Sequence, residues 1–215
     1  MARVQIGNVY PSDEYLLARC APAGYGLGEN TPKIVSTPDE AMLSGFYSVA
    51  NNDYVGDGTF VDWRIGYAQV LVQRRGQSVS QIANYNDVEW RRYSADNGAT
   101  WRPWEWVNPP MEPGNEYRTT ERWNGKPVYR KLVTLNLTEA TNTEIVVPHG
   151  ISNFRGLVRQ FAVLQDKFQL PYMYGGKTAW VSTVNDTNII VSNTGLEWDS
   201  SYSWSFELYY TKTTD

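Results

Sequence analysis

Ten residues near the end of the chain constrain the fold more than any others. Tyr202, Trp204, Phe206, Leu208 and Tyr210 alternate with Ser203, Ser205, Glu207, Tyr209 and Thr211. Successive side chains of a strand point to opposite faces, so this segment carries one continuous row of large apolar groups. Such a row is stable only inside a sheet with a second layer packed on it. The chain must therefore build at least two layers around this strand.

The rest of the second half supplies partners. Val128–Leu137, Glu144–Val147, Phe154–Leu164, Thr178–Val184 and Asn188–Ser192 are β-prone runs separated by turn residues. Regular short strands of this kind predict a sandwich or barrel. The first half reads similarly, with strands at Gly45–Ala50, Tyr67–Gln73, Val79–Tyr85 and Val88–Ser94. Tyr67, Gln69, Leu71 and Gln73 alternate with Ala68, Val70 and Val72, as a half-buried strand requires. Asp96-Asn97-Gly98 marks a tight turn, because Asn and Gly tolerate positive φ. Trp101 to Trp106 then resumes an extended, aromatic segment.

Helix signals are sparse. Thr37-Pro38-Asp39-Glu40 before Ala41-Met42-Leu43 reads as a capping box with proline at the first helical position, and Gly45 ends that short helix. Ser12-Asp13-Glu14 is a second, weaker start. The clearest break is Asn108-Pro109-Pro110-Met111-Glu112-Pro113-Gly114, where three prolines and a glycine stop helix and sheet pairing alike. The domain boundary is expected there, with 111–126 as a linker or approach segment and 127–215 as the second domain.

Composition narrows the function classes. The 215 residues carry 19 basic and 23 acidic groups, a formal net charge of -4, spread over both halves, which argues against nucleic acid. No apolar run approaches the roughly 20 residues that cross a bilayer, so no membrane insertion is expected. The first ten residues lack the charged and apolar regions of a secretory signal, so the glycosylation patterns at Asn136 and Asn185 read as chance matches. The single cysteine, Cys20, excludes an intrachain disulfide and a cysteine zinc site. The single histidine, His149, excludes a His-rich metal centre within one chain. No metal and no cofactor are expected.

A Ser-His-Asp hydrolase would have to use His149. That residue sits at a strand end before a turn, and no Gly-x-Ser-x-Gly elbow exists, so it reads as a structural or surface histidine. Glycoside hydrolysis needs only two carboxylates, and no spacing here picks out a pair. The expectation is a protein that is not an enzyme. Trp90, Trp101, Trp104 and Trp106 cluster on short strands and read as core, with a stacking platform as the alternative.

The stretch Leu164–Trp180 differs from its surroundings. Pro171 and Gly175-Gly176 mark it as a loop, yet it holds Phe168, Tyr172, Met173 and Tyr174 beside Asp166, Lys167 and Lys177. Long connections without secondary structure are functional or disordered, and aromatic side chains oppose disorder. Burial under the loop or against a neighbouring subunit is one account. A recognition surface is the other, formed by Asp166, Tyr172, Tyr174, Lys177 and Trp180, with Asn185 and Asp186 on the next turn.

These residues also carry a resemblance. Gly24-Tyr25-Gly26-Leu27-Gly28, Thr37-Pro38, Ser44–Ser48, Val70–Val72, Gln81–Ala83 and Arg92–Trp104 resemble the knob domain of pyocin and bacteriophage tail fibres. Its most specific part is the strand, Asx-Gly turn and Trp-x-x-Trp of residues 92–104. Residues 117–215 look like a C-terminal tail-fibre domain, through Tyr117–Arg122, Gly125–Tyr129, His149–Ser152 and the aromatic last strand. The resemblance implies a mainly β chain, with a small knob-like α+β domain of mostly β content at 24–110 and a β-sandwich-like tip at 127–215. It implies that 1–23 end a preceding fibre segment and that the chain is a fragment of a longer fibre. It further implies a homotrimer in a virion tail fibre or prophage-derived tail-like particle, acting at the host cell surface. The expected partner is a bacterial surface glycan: cell-wall polysaccharide, teichoic acid or lipopolysaccharide. A glycan depolymerase and a purely structural knob or trimerisation module are the alternatives. The family gives no binding residues to transfer, so the site rests on the 164–180 argument.

Overall fold

The computed structural model describes residues 32–51, 63–137, 144–164, 168–174, 177–193 and 202–215. At 63, 136–137, 164, 168, 172–174, 177–180, 193 and 202 it describes the backbone alone. The second expected helix start, at Ser12, and the resemblance at 24–28 lie outside the described residues. The chain divides into two compact units, Met1–Trp104 and Glu105–Asp215. The division falls ahead of the proline-rich segment.

The first unit is a small sheet. Strands β1 (Lys33–Val35), β2 (Gly45–Val49), β3 (Gln69–Arg75), β4 (Ser78–Tyr85) and β5 (Val88–Ser94) lie side by side in chain order. β1 runs parallel to β2, and the remaining neighbours are antiparallel. Two-residue turns join β3 to β4 and β4 to β5, with Gly76 at φ 60 and Asn86 at φ 53. The alternation read at 67–73 holds: Ala68, Val70 and Val72 are buried, while Tyr67 is exposed. Asn97 and Gly98 take φ 61 and 80, as the turn signature requires. Trp90 and Trp104 are fully buried core residues of this unit, and Trp101 is half-buried.

The helix expected from Thr37 is only a 3-10 turn at Pro38–Glu40, with proline at its start. Thr37 makes no side-chain cap; the Ser36 N–H donates to Glu40 Oε2 at 3.2 Å instead. The reason lies elsewhere in the chain. Buried Gln81 on β4 donates through Nε2 to the carbonyls of Pro38 at 2.6 Å and Ala41 at 2.8 Å. Those acceptors are satisfied by the sheet, so no further helical turn is needed to pair them.

The second unit is a sandwich. Its first layer contains β6 (Glu105–Trp106), β7 (Glu116–Trp123), β8 (Lys126–Leu137), β10 (Phe154–Leu164), β11 (Phe168–Gln169) and β15 (Tyr202–Lys212). Their order is β6-β7-β8-β15-β10-β11. The second layer contains β9 (Ile145–Pro148), β12 (Tyr172–Tyr174), β13 (Lys177–Val184) and β14 (Asn188–Asn193), in the order β12-β13-β14-β9. The row read on the last strand sits between β8 and β10, and Trp204, Phe206, Leu208 and Tyr210 are each 0% exposed. Ile189 and Val191 of β14 meet them from the opposite layer, with Tyr129 and Ala162 completing the cluster.

Two expectations fail here. Residues 116–123, read within an approach segment, form β7 and pair with β8. The described part of the expected 165–177 loop, 168–174 and 177, is not unstructured. Gln169 pairs with Val163 of β10, the Leu170 N–H donates to the Ala162 carbonyl, and Tyr172–Tyr174 pairs with β13. The chain thus crosses from one layer to the other at Leu170, whose side chain packs against the core.

Candidate functional site

The backbone gathers part of the expected site and separates the rest. Tyr172 lies opposite Trp180 and Tyr174 opposite Lys177, with a register shift after Tyr172. β12 is an edge of the four-stranded layer, so these four positions share one short edge hairpin. Asn185 and Asp186 lie beyond the other end of β13, after Val184. At about 3.3 Å per residue, Lys177 and Asn185 are roughly 25 Å apart along the strand. The backbone thus sets Asn185 and Asp186 at the end of β13 away from Lys177, with Trp180 between them along the strand. Asp166 lies outside the described residues.

Asn185 is occupied by its own turn. Its Oδ1 accepts from the N–H of Thr187 at 3.0 Å and of Asn188 at 2.7 Å, an Asx turn that closes β13 onto β14. Its main-chain carbonyl meets His149 Nε2 at 3.2 Å. His149 is 2% exposed and accepts at Nδ1 from the Ile151 N–H at 3.1 Å, which puts the ring proton on Nε2. Burial pushes its pKa below the ordinary histidine value. This is a neutral, structural imidazole that stitches the β9 end to the β13–β14 turn.

Sequence reasoning missed a polar stack on the outer face of the first layer. Tyr209, on the polar side of the last strand, is 6% exposed because two guanidinium groups cover it. Arg159 lies 3.8 Å and Arg130 4.8 Å from the ring centroid, and Phe161 meets the ring edge-on at 5.8 Å. Arg159 also grips both oxygens of Glu121 at 2.9 and 2.7 Å, and Arg130 pairs with Glu207. The available signal was a lone tyrosine among Ser203, Ser205, Glu207 and Thr211, where only long basic neighbours could cover it. On the same layer Arg122 grips both oxygens of Glu105 at 2.7 Å, and Glu116 binds Lys212 and the Tyr210 hydroxyl. Burial pushes the Tyr129 hydroxyl up to about 12. Glu105, Glu116, Glu121 and Glu207 are thus all held by cations as structural partners.

No protein-family model and no curated protein matches the sequence. Similar solved structures do exist. An N-truncated R2-type pyocin tail fibre shares 12% identity, over 80% of this chain and 93% of that one, at a TM-score of 0.28. An R1 pyocin fibre fragment of P. aeruginosa shares 10% identity over 82% of this chain and 65% of its own, at 0.26. The corresponding R2 fibre fragment shares 11% over 80% and 64%, also at 0.26.

Proposed function

We propose that this chain is a receptor-binding segment of a phage or phage-tail-like fibre. It binds a bacterial surface glycan as a homotrimer and performs no chemistry on it. The observation that carries this reading is the β12–β13 edge hairpin, which sets Tyr172 and Tyr174 opposite Trp180 and Lys177. Aromatic rings suit the C–H faces of pyranose rings, and a nearby cation suits their anionic substituents. Three copies on one axis would offset a weak single-site affinity. Two further observations support it: the residue-level resemblance to tail-fibre domains, and four glutamates engaged in structural ion pairs rather than left as acid and base.

The test is the double substitution Tyr172→Ala with Tyr174→Ala. Binding of purified protein to whole host cells should fall at least tenfold, with the melting temperature and the sedimentation mass of the trimer unchanged. A monomeric or unfolded double variant would make these tyrosines packing residues and overturn the reading. Release of soluble oligosaccharide from host envelope by the unmodified protein would overturn the absence of chemistry.

A further inference from the structure

A pocket lies at the end of the first layer of the sandwich, away from the β12–β13 hairpin. The β7–β8 hairpin closes through Asn124 and Gly125, at φ 50 and 77, which leaves Trp123 paired with Lys126 and 52% exposed. Across from this tip, β10 begins with a bulge. Phe154 pairs with Lys212 and Gly156 with Thr211, so Arg155 is the extra residue of the ladder. Bulges re-aim side chains, and this one turns an exposed arginine out of the sheet register. The hairpin tip, the bulge and Thr211 enclose an open pocket of about 280 Å³, lined also by Leu157.

Three features define what this pocket takes. Trp123 is the one aromatic side chain among the described residues that line it, and it is 52% exposed. Its charged lining residues are Arg155 and Lys126, whose Nζ also donates to the Asp215 main-chain oxygen, and no carboxylate is among the described residues that line it. Arg155 has no ion pair or hydrogen bond among the described residues, whereas neighbouring Arg122 is held by Glu105. In a chain of net charge -4, this is a local excess of positive charge beside an apolar ring. Finally, a Cβ built on Gly156 meets nothing within 4 Å. The glycine keeps the pocket floor open.

We infer that this pocket binds an anionic saccharide, with a pyranose ring stacked on Trp123 and its phosphate or carboxylate group held by Arg155 and Lys126. Asn124 and Thr211 supply hydrogen-bonding groups for ring hydroxyls. The pocket is shallow, so affinity should be weak, on the order of 1 mM for a monosaccharide. It shares no residue with the β12–β13 hairpin and stands whether or not that hairpin binds glycan.

Saturation-transfer NMR on the full chain tests this with glucose 6-phosphate, glucuronic acid and glucose as observed ligands and inorganic phosphate as their competitor. Both anionic sugars should receive saturation on their ring protons and bind about tenfold more tightly than glucose. Their ratio to each other tells phosphate from carboxylate. Trp123→Ala should abolish the transfer. Arg155→Gln should reduce both anionic sugars to the level of glucose. Gly156→Leu should block all sugars by filling the floor, with an unchanged melting temperature, which guards against misreading a folding defect in the tryptophan variant. Tyr172→Ala with Tyr174→Ala should leave every value unchanged. The inference fails if Trp123→Ala and Gly156→Leu bind as the unmodified protein does. It also fails if none of the sugars binds, or if inorganic phosphate alone binds as tightly as glucose 6-phosphate.

Discussion

The two units reach a stable interior by different means. Glu105–Asp215 buries an apolar cluster between two layers, built on Trp204, Phe206, Leu208 and Tyr210. In Met1–Trp104 the described residues form five strands side by side, and the interior includes Gln81 and Arg92 at 0% and 6% exposure. Arg92 donates from Nε to Gln81 Oε1 at 2.8 Å and pairs with Asp39, while its guanidinium lies 4.0 Å from Trp101 and 4.4 Å from Trp104. Among the described residues no second sheet covers these strands. Here a short turn lies over the sheet, and Gln81 meets its Pro38 and Ala41 carbonyls from below. In the sandwich the cluster between the layers is apolar, and Gln160 of β10 links them by donating from Nε2 to the Ser182 carbonyl of β13 at 2.9 Å.

The largest expected effect lies in the sandwich. Trp204→Ala should cost about 3–5 kcal/mol, because it opens a cavity between layers that cannot collapse onto each other. Differential scanning calorimetry should show the loss in the transition of this unit alone. A shift below about 1 kcal/mol would mean that the cluster is plastic and that the contrast with the first unit is overstated.

The relay comes next. Gln81→Leu keeps the volume but strands the Ala41 carbonyl, leaves the Pro38 carbonyl with the Ala41 N–H alone, and removes the acceptor for Arg92 Nε. A loss of about 2–3 kcal/mol is expected in the first unit, from the desolvation cost of unpaired polar groups. Amide exchange should accelerate at 38–42 before it does on β3 and β4. If leucine is tolerated without change, the turn is held by Pro38 and Ala41 packing, and the polar relay is incidental.

This contrast also sorts what was legible in sequence. The strands at 88–94 and 154–164 stand where their patterns place them, and the row at 202–210 is buried where its side chains are described. Alternating patterns report burial directly, because the fold must hide one face. β7 was hidden by its composition: Tyr117 and Thr119 are buried, but Arg118, Glu121 and Arg122 dilute the pattern with charges that form ion pairs. β11 and β12 are two and three residues long, below the length at which period can be read. The turn at Pro38 kept its start signal and lost its helix to Gln81, more than forty positions away. Of the site, the aromatic hairpin was legible as an anomaly of composition. Its separation from Asn185 and Asp186 was not, because it depends on which strands pair. The pocket at Trp123 depends on a bulge at Arg155 that leaves no mark in the sequence.

The smallest expected effect concerns a buried polar stitch in the sandwich, at His149. His149 is neutral in the fold, with burial opposing its charge and Nδ1 accepting from Ile151. Lys131 nearby also disfavours protonation, while the Asn185 and Asp186 backbone and the Asp186 charge favour it. The folded pKa lies below the unfolded value of about 6.5. The unfolded chain therefore binds a proton that the folded chain refuses, and stability falls as pH drops below that value. One such group can contribute at most about 1.4 kcal/mol per pH unit, until the folded pKa is reached. Urea unfolding between pH 7 and pH 5 should show this loss in the sandwich transition. His149→Asn should remove the slope at some cost in stability at pH 7, since asparagine does not reach both Ile151 and Asn185. A slope that persists in the variant would assign the pH dependence to carboxylates, leaving His149 as packing against Phe154, 5.2 Å away between ring centroids.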